Sequence, residues 1–184
     1  MLAATLAAAA LAASLLPPAL LDWQPARAAS EPWRAFSAAF VHWSPLHLGA
    51  NLAGAAVVAA LGWAARLPWT FSLAWLAAWP LTQLGLLVEP ALAHYGGLSG
   101  VLHAGVAVAA MGLLLRERGL RRWVGAVLLA GLAAKVVLEE PWGPPLRHGA
   151  GWDIAVAPVA HASGALAGLA CAAVVWALGR SGTA

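Results

Sequence analysis

Residues 99–115 read SGVLHAGVAVAAMGLLL, an apolar run without a charged side chain that ends where Arg116 begins a basic segment. A helix over this run would be about 25 Å long, close to the ~30 Å hydrocarbon thickness of a bilayer. The whole chain is 62% hydrophobic and 9% charged, whereas soluble domains carry about 25% charged residues. The sequence therefore predicts a protein whose solvent is lipid.

Further apolar runs flank this one and predict an all-α membrane protein with six transmembrane helices in a single domain, residues 1–184. The predicted spans are residues 2–21, 45–65, 69–88, 99–115, 123–138 and 154–178. Ala26-Arg27-Ala28 also resembles a signal-peptidase site, and cleavage there would leave five spans. The long first apolar run, which lacks a basic residue at its start, favours a retained first span.

Basic residues predict the orientation of the spans. With six spans, six of the ten basic residues lie on one side of the membrane, at positions 66, 116, 118, 121, 122 and 180. The positive-inside rule assigns this side, together with both termini, to the cytoplasm. The net charge of +3 therefore indicates orientation in a bilayer, and no nucleic-acid partner is predicted.

Five of the polar side chains in the even-numbered predicted spans are notable, and these spans all enter the membrane from the external side. They are His47 and Asn51 in the second span, Ser99 and His103 in the fourth, and His161 in the sixth. Polar groups inside a membrane are costly and indicate function by default. Because all five lie near the external ends of their spans, the sequence predicts one polar site close to that face.

A serine and a histidine in such a site suggest nucleophilic catalysis. Ser99 requires a base to become an effective nucleophile, and a histidine such as His161 is the side chain that accepts protons near neutral pH. A carboxylate for a triad is not evident, because Asp153 lies at the outer end of its span. The prediction is therefore a Ser99–His161 dyad. The alternative for Ser99 is a helix-capping role.

Other residues would supply an oxyanion site or support. Gly97 and Leu98 lead into a helix N-terminus, where free N–H groups and the helix dipole favour negative charge. His47 and Asn51, four residues apart, share a helix face and could donate further hydrogen bonds. They could equally join two helices by hydrogen bonds.

Some polar residues have simpler interpretations. His42 is predicted to be structural and His103 to pack on His161, with accessory catalytic roles as the alternatives. Lys135 and Glu139 have i, i+4 spacing and are predicted to pair, a substrate contact being the alternative. The six histidines contain no His-Glu-x-x-His pattern, so neither a metal nor another cofactor is predicted.

Three motifs resemble the rhomboid intramembrane protease family. They are His-Trp-Ser-Pro-Leu-His-Leu-Gly-Ala-Asn at 42–51, Gly-Leu-Ser-Gly at 97–100 and Ala-His-Ala-Ser-Gly at 160–164, in order on the even spans. The resemblance implies a six-helix serine endopeptidase that cleaves membrane-anchored proteins. It assigns the dyad to Ser99 and His161, the oxyanion donors to His47 and Asn51, and a structural role to His42.

One position departs from the usual pattern of that family. Many rhomboids have a tyrosine one turn after the serine, where this chain has His103. Gly-Leu-Ser-Gly-Val-Leu-His at 97–103, the small size, and Lys135 with Glu139 resemble the rhombosortase branch instead. That resemblance implies removal of C-terminal Gly-Gly-containing anchor tails from exported proteins in Gram-negative bacteria. The enzyme would lie in the inner membrane with its site towards the periplasm.

Several alternatives remain open at this stage. An acyl-enzyme could be released by water or by an amine that re-anchors the product. A catalytically inactive family member that binds transmembrane clients is the second functional hypothesis, although Ser99 and His161 are both present. The sequence predicts no oligomeric state.

Overall fold

A bundle of α-helices forms most of the molecule. The structure is a computed structural model that describes residues 1–181, and helices make up 71% of it. The α-helices of the described residues are α1 Leu2–Ala13, α2 Arg34–Ser37, α3 Pro45–Ala65, α4 Trp69–Leu84, α5 Ser99–Arg116, α6 Gly119–Leu138 and α7 Pro158–Ser181. A short antiparallel hairpin, β1 Arg147–His148 and β2 Ala155–Val156, pairs Arg147 with Val156 between α6 and α7.

Four helices in residues 1–181 are long and apolar enough to cross a membrane. They are Pro45–Ala65, Trp69–Val88, Ser99–Arg116 and Pro158–Arg180, which correspond to the second, third, fourth and sixth predicted spans. Helix α6 has 20 residues, but Arg121, Arg122 and Lys135 make it more charged than these four. The protein is thus a mostly helical, multi-pass membrane protein.

The first predicted span, residues 2–21, is wrong in its extent. Helix α1 ends at Ala13 after 12 residues, about 18 Å, which is shorter than the hydrocarbon core. Pro17 and Pro18 explain the early end, because proline lacks an N–H for the helical ladder and restricts the residue before it. A 3-10 turn, Pro18–Leu20, follows instead of a continued helix.

Helix α5 is the central helix and packs against α3, α4, α6 and α7. Its contact with α7 is so close that a Cβ atom added at Gly164 would lie 1.9 Å from the Gly100 carbonyl oxygen. One at Gly168 would lie 2.5 Å from the Ala104 carbonyl oxygen. The absence of a side chain at these two glycines therefore allows α5 and α7 to approach closely.

One end of the bundle carries the basic residues. Helix α3 ends at Arg66 in a left-handed conformation (φ 50°). The Arg121 guanidinium, near the start of α6, donates to the Ala65 carbonyl oxygen at 2.7 Å. The contact satisfies a carbonyl group at the C-terminus of α3, where a cation is favourable. It joins two of the basic segments that the sequence analysis assigned to one side.

At the opposite end, a buried ion pair organises the chain before α3. The Arg34 guanidinium lies 3.0 Å from Asp22 Oδ1, and the two side chains are 5% and 1% exposed. The next residue, Trp23, forms a β-bridge with Tyr95, in which each N–H donates to the other's carbonyl oxygen. The N-terminal segment thereby holds the loop that leads into α5.

Candidate active site

Ser99 is the first residue of α5, directly after a distorted loop. Gly97 has φ +141°, a conformation that side chains disfavour, and its N–H donates to the Ala38 carbonyl oxygen at 2.9 Å. Leu98 is the N-cap residue of the helix and makes no side-chain cap bond. The Ser99 hydroxyl thus lies beside the N–H groups at the start of a helix, which have no intrahelical partners.

His161 lies in the first turn of α7 and is buried. Its Nε2 is 3.0 Å from Ser99 Oγ. The contact depends on the close approach of α5 and α7, because Gly100 follows the serine and Gly164 lies three residues after the histidine. The structure therefore brings together the two residues that the sequence analysis predicted as a dyad.

Glu139, directly after α6, is a third residue at this site that the sequence analysis did not assign to it. Its Oε2 lies 2.7 Å from His161 Nδ1, and its Oε1 lies 2.5 Å from Lys135 Nζ. Burial raises the pKa of Glu139, but the bonds to His161 and Lys135 outweigh burial and lower this pKa to about 2. The carboxylate is therefore ionised at neutral pH.

The sequence did contain a signal for this contact. Glu139 follows the fifth predicted span on the external side, the side on which His161 enters the sixth. The predicted pairing of Glu139 with Lys135 is present, but it uses only one carboxylate oxygen. Asp153, at the outer end of the sixth predicted span, accepts a hydrogen bond from Ser44 Oγ at 2.8 Å instead.

His103 packs on His161, as predicted. The two imidazole rings are stacked, with centroids 4.2 Å apart and planes inclined by 10°. His103 Nδ1 lies 2.7 Å from the Ser99 carbonyl oxygen, and because a carbonyl oxygen only accepts, this nitrogen is the donor. The stack and the hydrogen bond hold both rings in fixed orientations beside the serine.

His47 and Asn51 are buried on one face of α3, next to the loop before Ser99. A Cβ atom added at Gly97 would lie 2.9 Å from His47 Nε2 and 3.9 Å from Asn51 Nδ2. The Trp43 N–H donates to His47 Nδ1 at 3.4 Å, which leaves His47 Nε2 as the protonated nitrogen. Asn51 Nδ2 is buried and has no hydrogen-bond partner among the described residues.

Residues 29–178 match the model of the Rhomboid domain. The chain belongs to the rhomboid family. No curated protein matched it in a sequence search. Rhomboids are generally intramembrane serine proteases, and the matched range of this rhomboid includes all three motifs that carried the resemblance.

The remaining accessory histidine of this rhomboid is His42. Its Nδ1 lies 3.1 Å from the Phe40 carbonyl oxygen, and its ring centroid is 4.8 Å from that of His47. Burial lowers the pKa of His42, and the hydrogen bond to Phe40 opposes this effect. A neutral ring that supports His47 fits the predicted structural role.

A small cavity adjoins Ser99 and His161 and has a volume of about 40 Å³. Its lining includes His47, Ser99 and His161 from the helices, His94, Tyr95 and Gly96 from the loop before α5, and Leu146 and residues 154–157 around the hairpin. Burial raises the pKa of Tyr95 to about 12, so its phenol stays protonated. A larger cavity of about 280 Å³ lies among α1, α3, α4 and α5 and contains none of the predicted site residues.

Three side chains of the site have atoms of the kind that bind metals. Those of His103, Glu139 and His161 all lie within 4.8 Å of one another. Hydrogen bonds already use Nδ1 of both imidazoles, one to the Ser99 carbonyl oxygen and the other to Glu139. The observed geometry of this rhomboid site is thus that of a hydrogen-bonded network around Ser99.

Proposed function

We propose that this rhomboid is an active intramembrane serine endopeptidase, with Ser99 as nucleophile and His161 as general base. The observation that carries the proposal is the 3.0 Å distance between Ser99 Oγ and His161 Nε2. This distance lies within the range needed for proton transfer between a nucleophile and its base.

The reaction would proceed through an acyl-enzyme. Ser99 Oγ attacks the carbonyl carbon of the scissile peptide bond while its proton passes to His161 Nε2. His161 then gives this proton to the leaving nitrogen as the C–N bond breaks. Water or an amine attacks the resulting ester, its proton passing to His161 and then to Ser99 Oγ. Water would free the product, and an amine would attach it to a new group.

The oxyanion formed during attack would be held by the loop and by α3. Candidate donors are the N–H groups at the start of α5, His47 Nε2 and Asn51 Nδ2. The unpaired state of Asn51 Nδ2 supports this role, because a buried donor without a partner destabilises the protein by about 1–3 kcal/mol. A site that binds an oxyanion only transiently would account for such a donor.

Replacing Asn51 with alanine is expected to lower kcat by about 100-fold, the usual effect of removing one oxyanion donor. KM should change little, because the donor acts mainly on the charge that develops in the transition state. Cleavage of a transmembrane substrate in detergent micelles would measure both constants. Gly49→Ala is the control on α3, because an added methyl group there has nothing within 4 Å. An unchanged kcat in Asn51→Ala would contradict the oxyanion role.

The proposed substrates are exported proteins with C-terminal anchor tails that contain Gly-Gly. His103 after the serine, and Lys135 with Glu139 at the end of α6, support this assignment to the rhombosortase branch. The small cavity beside Ser99 is compatible with substrate residues that have little or no side chain, such as glycine. The proposed location is the bacterial inner membrane, with Ser99 towards the periplasm and both termini in the cytoplasm, supported by the basic residues at the opposite end.

The alternative is an inactive family member that binds transmembrane clients. A fluorophosphonate probe separates the two hypotheses, because it reacts only with an activated serine. The wild type in membranes is expected to be labelled, and Ser99→Ala is expected not to be. Absence of labelling in a folded wild type, or equal labelling of both proteins, would refute the proposed protease.

A further inference from the structure

The Glu139 carboxylate joins two helices at the candidate site. Its Oε1 bonds Lys135 Nζ one turn back on α6, and its Oε2 bonds His161 Nδ1 on α7. The Glu139 side chain is 28% exposed and that of His161 is 10% exposed. The contact to His161 is therefore sheltered, although the end of α6 remains accessible.

This contact fixes which nitrogen of His161 carries the proton. An ionised carboxylate only accepts hydrogen bonds, so His161 Nδ1 must be the donor to Glu139. Neutral imidazole has one protonated nitrogen, which leaves a lone pair on Nε2. That nitrogen is the one that lies 3.0 Å from Ser99 Oγ. Glu139 thereby selects the tautomer that can accept the serine proton.

The charges around His161 also change during the reaction. Proton transfer from Ser99 makes its imidazole a cation. The groups that face it are Ser99 and His103 from α5, Glu139 from the end of α6, and His47 from α3, with Lys135 beyond Glu139. Within residues 1–181, Glu139 is the one anion in this set.

We propose that Glu139 is a positioning residue, which orients His161 and stabilises its protonated form, so that Ser99, His161 and Glu139 act as a triad. The inference rests on the proposed protease function. Glu139 takes no proton in the cycle: the proton moves from Ser99 Oγ to His161 Nε2 and on to the leaving nitrogen, while the carboxylate stays charged. Lys135 in turn holds the carboxylate through its other oxygen.

The test compares Glu139→Gln, Lys135→Met and Glu140→Gln, with a fluorophosphonate as the probe and saturation kinetics as the measurement. Glu139→Gln keeps the size of the side chain and removes the charge that faces His161. Lys135→Met breaks the Lys135–Glu139 ion pair, as Glu139→Gln does, but it keeps the Glu139 carboxylate that contacts His161. Glu140→Gln is the neighbouring control, because Glu140 pairs with Arg147 instead.

Glu139→Gln is expected to lower the maximal labelling rate by about 100-fold or more, with a probe concentration for half-saturation within about threefold of the wild type. Lys135→Met should lose less than about tenfold, and Glu140→Gln should match the wild type. In a His161→Ala background, Glu139→Gln should cause no further loss, because the residues act as a unit.

Equal losses in Glu139→Gln and Lys135→Met would overturn the proposal, since they would show that the ion pair alone matters. A change in Glu139→Gln that affects only the probe concentration for half-saturation would also overturn the proposal. So would complete loss of wild-type labelling on addition of EDTA, because it would favour a metal ion at His103, Glu139 and His161. Failure of the wild type to react would instead refute the protease function. Normal labelling of both the wild type and Glu139→Gln would refute only the role of Glu139.

Discussion

His161→Ala is expected to abolish removal of a Gly-Gly-containing tail from a co-expressed, membrane-anchored substrate. Without an imidazole 3.0 Å from Ser99 Oγ, the hydroxyl keeps its proton and attacks the peptide carbonyl slowly. Loss of the base in serine proteases lowers kcat by about 10⁴-fold or more, which is complete loss on the time scale of cell growth. Immunoblotting of the substrate, whose size falls when the tail is removed, would measure the effect.

The chain offers a control of the same residue type. His148 lies in β1, is exposed and does not line the cavity at Ser99, so His148→Ala should process the tail at the wild-type rate. Continued tail removal by His161→Ala would rule out His161 as the base. If the wild-type enzyme is labelled by fluorophosphonate but leaves the tail in place, the Gly-Gly specificity would be contradicted. The protease assignment would stand.

Gly164→Ala is expected to destabilise the protein by about 3 kcal/mol or more, the upper range for overpacked sites. The added methyl carbon would lie 1.9 Å from the Gly100 carbonyl oxygen, and backbone atoms cannot rotate away as a side chain can. Helix α7 must therefore move away from α5. Because Gly164 lies in the helical turn after His161, and Gly100 follows Ser99, the same movement would separate His161 Nε2 from Ser99 Oγ.

Two measurements would test the effect of Gly164→Ala. The temperature of unfolding in detergent should fall, and the fluorophosphonate labelling rate of the protein that remains folded should fall by about 100-fold, the effect of a displacement near 1 Å. Gly179→Ala in the same helix is the control, since its added methyl group has nothing within 4 Å. Wild-type stability and labelling in Gly164→Ala would show that α5 and α7 do not depend on this contact.

The helices whose ends are marked by capping residues or glycine-containing loops were predictable from the sequence. Helix α3 begins after Ser44, whose hydroxyl accepts from the His47 N–H at 3.0 Å, and ends at Arg66, as predicted. The start of helix α5 at Ser99 also has a local signal, because a glycine-containing loop precedes the apolar run there. Such signals lie within a few residues of the boundary that they determine.

Other features depended on contacts that no local pattern encodes. The predicted sixth span began too early, because residues 155–156 pair with β1 and α7 starts at Pro158. The bond between Glu139 and His161 joins residues 22 positions apart on different helices. Lys135 gave Glu139 a sufficient partner at i, i+4 spacing, so the shared external side of Glu139 and His161 was the only signal for the second contact.

The buried pair of Asp22 and Arg34 bears on how the N-terminal segment can be processed. A cut at Ala26-Arg27-Ala28 would detach Asp22 together with Trp23, the residue that pairs with the backbone of Tyr95. Arg34 would keep its pair with Glu31 but would lose Asp22, the more deeply buried of its two counter-ions. The leader-like segment thus supports the loop before α5, and its removal would take away the Trp23–Tyr95 backbone pairing that holds this loop next to Ser99.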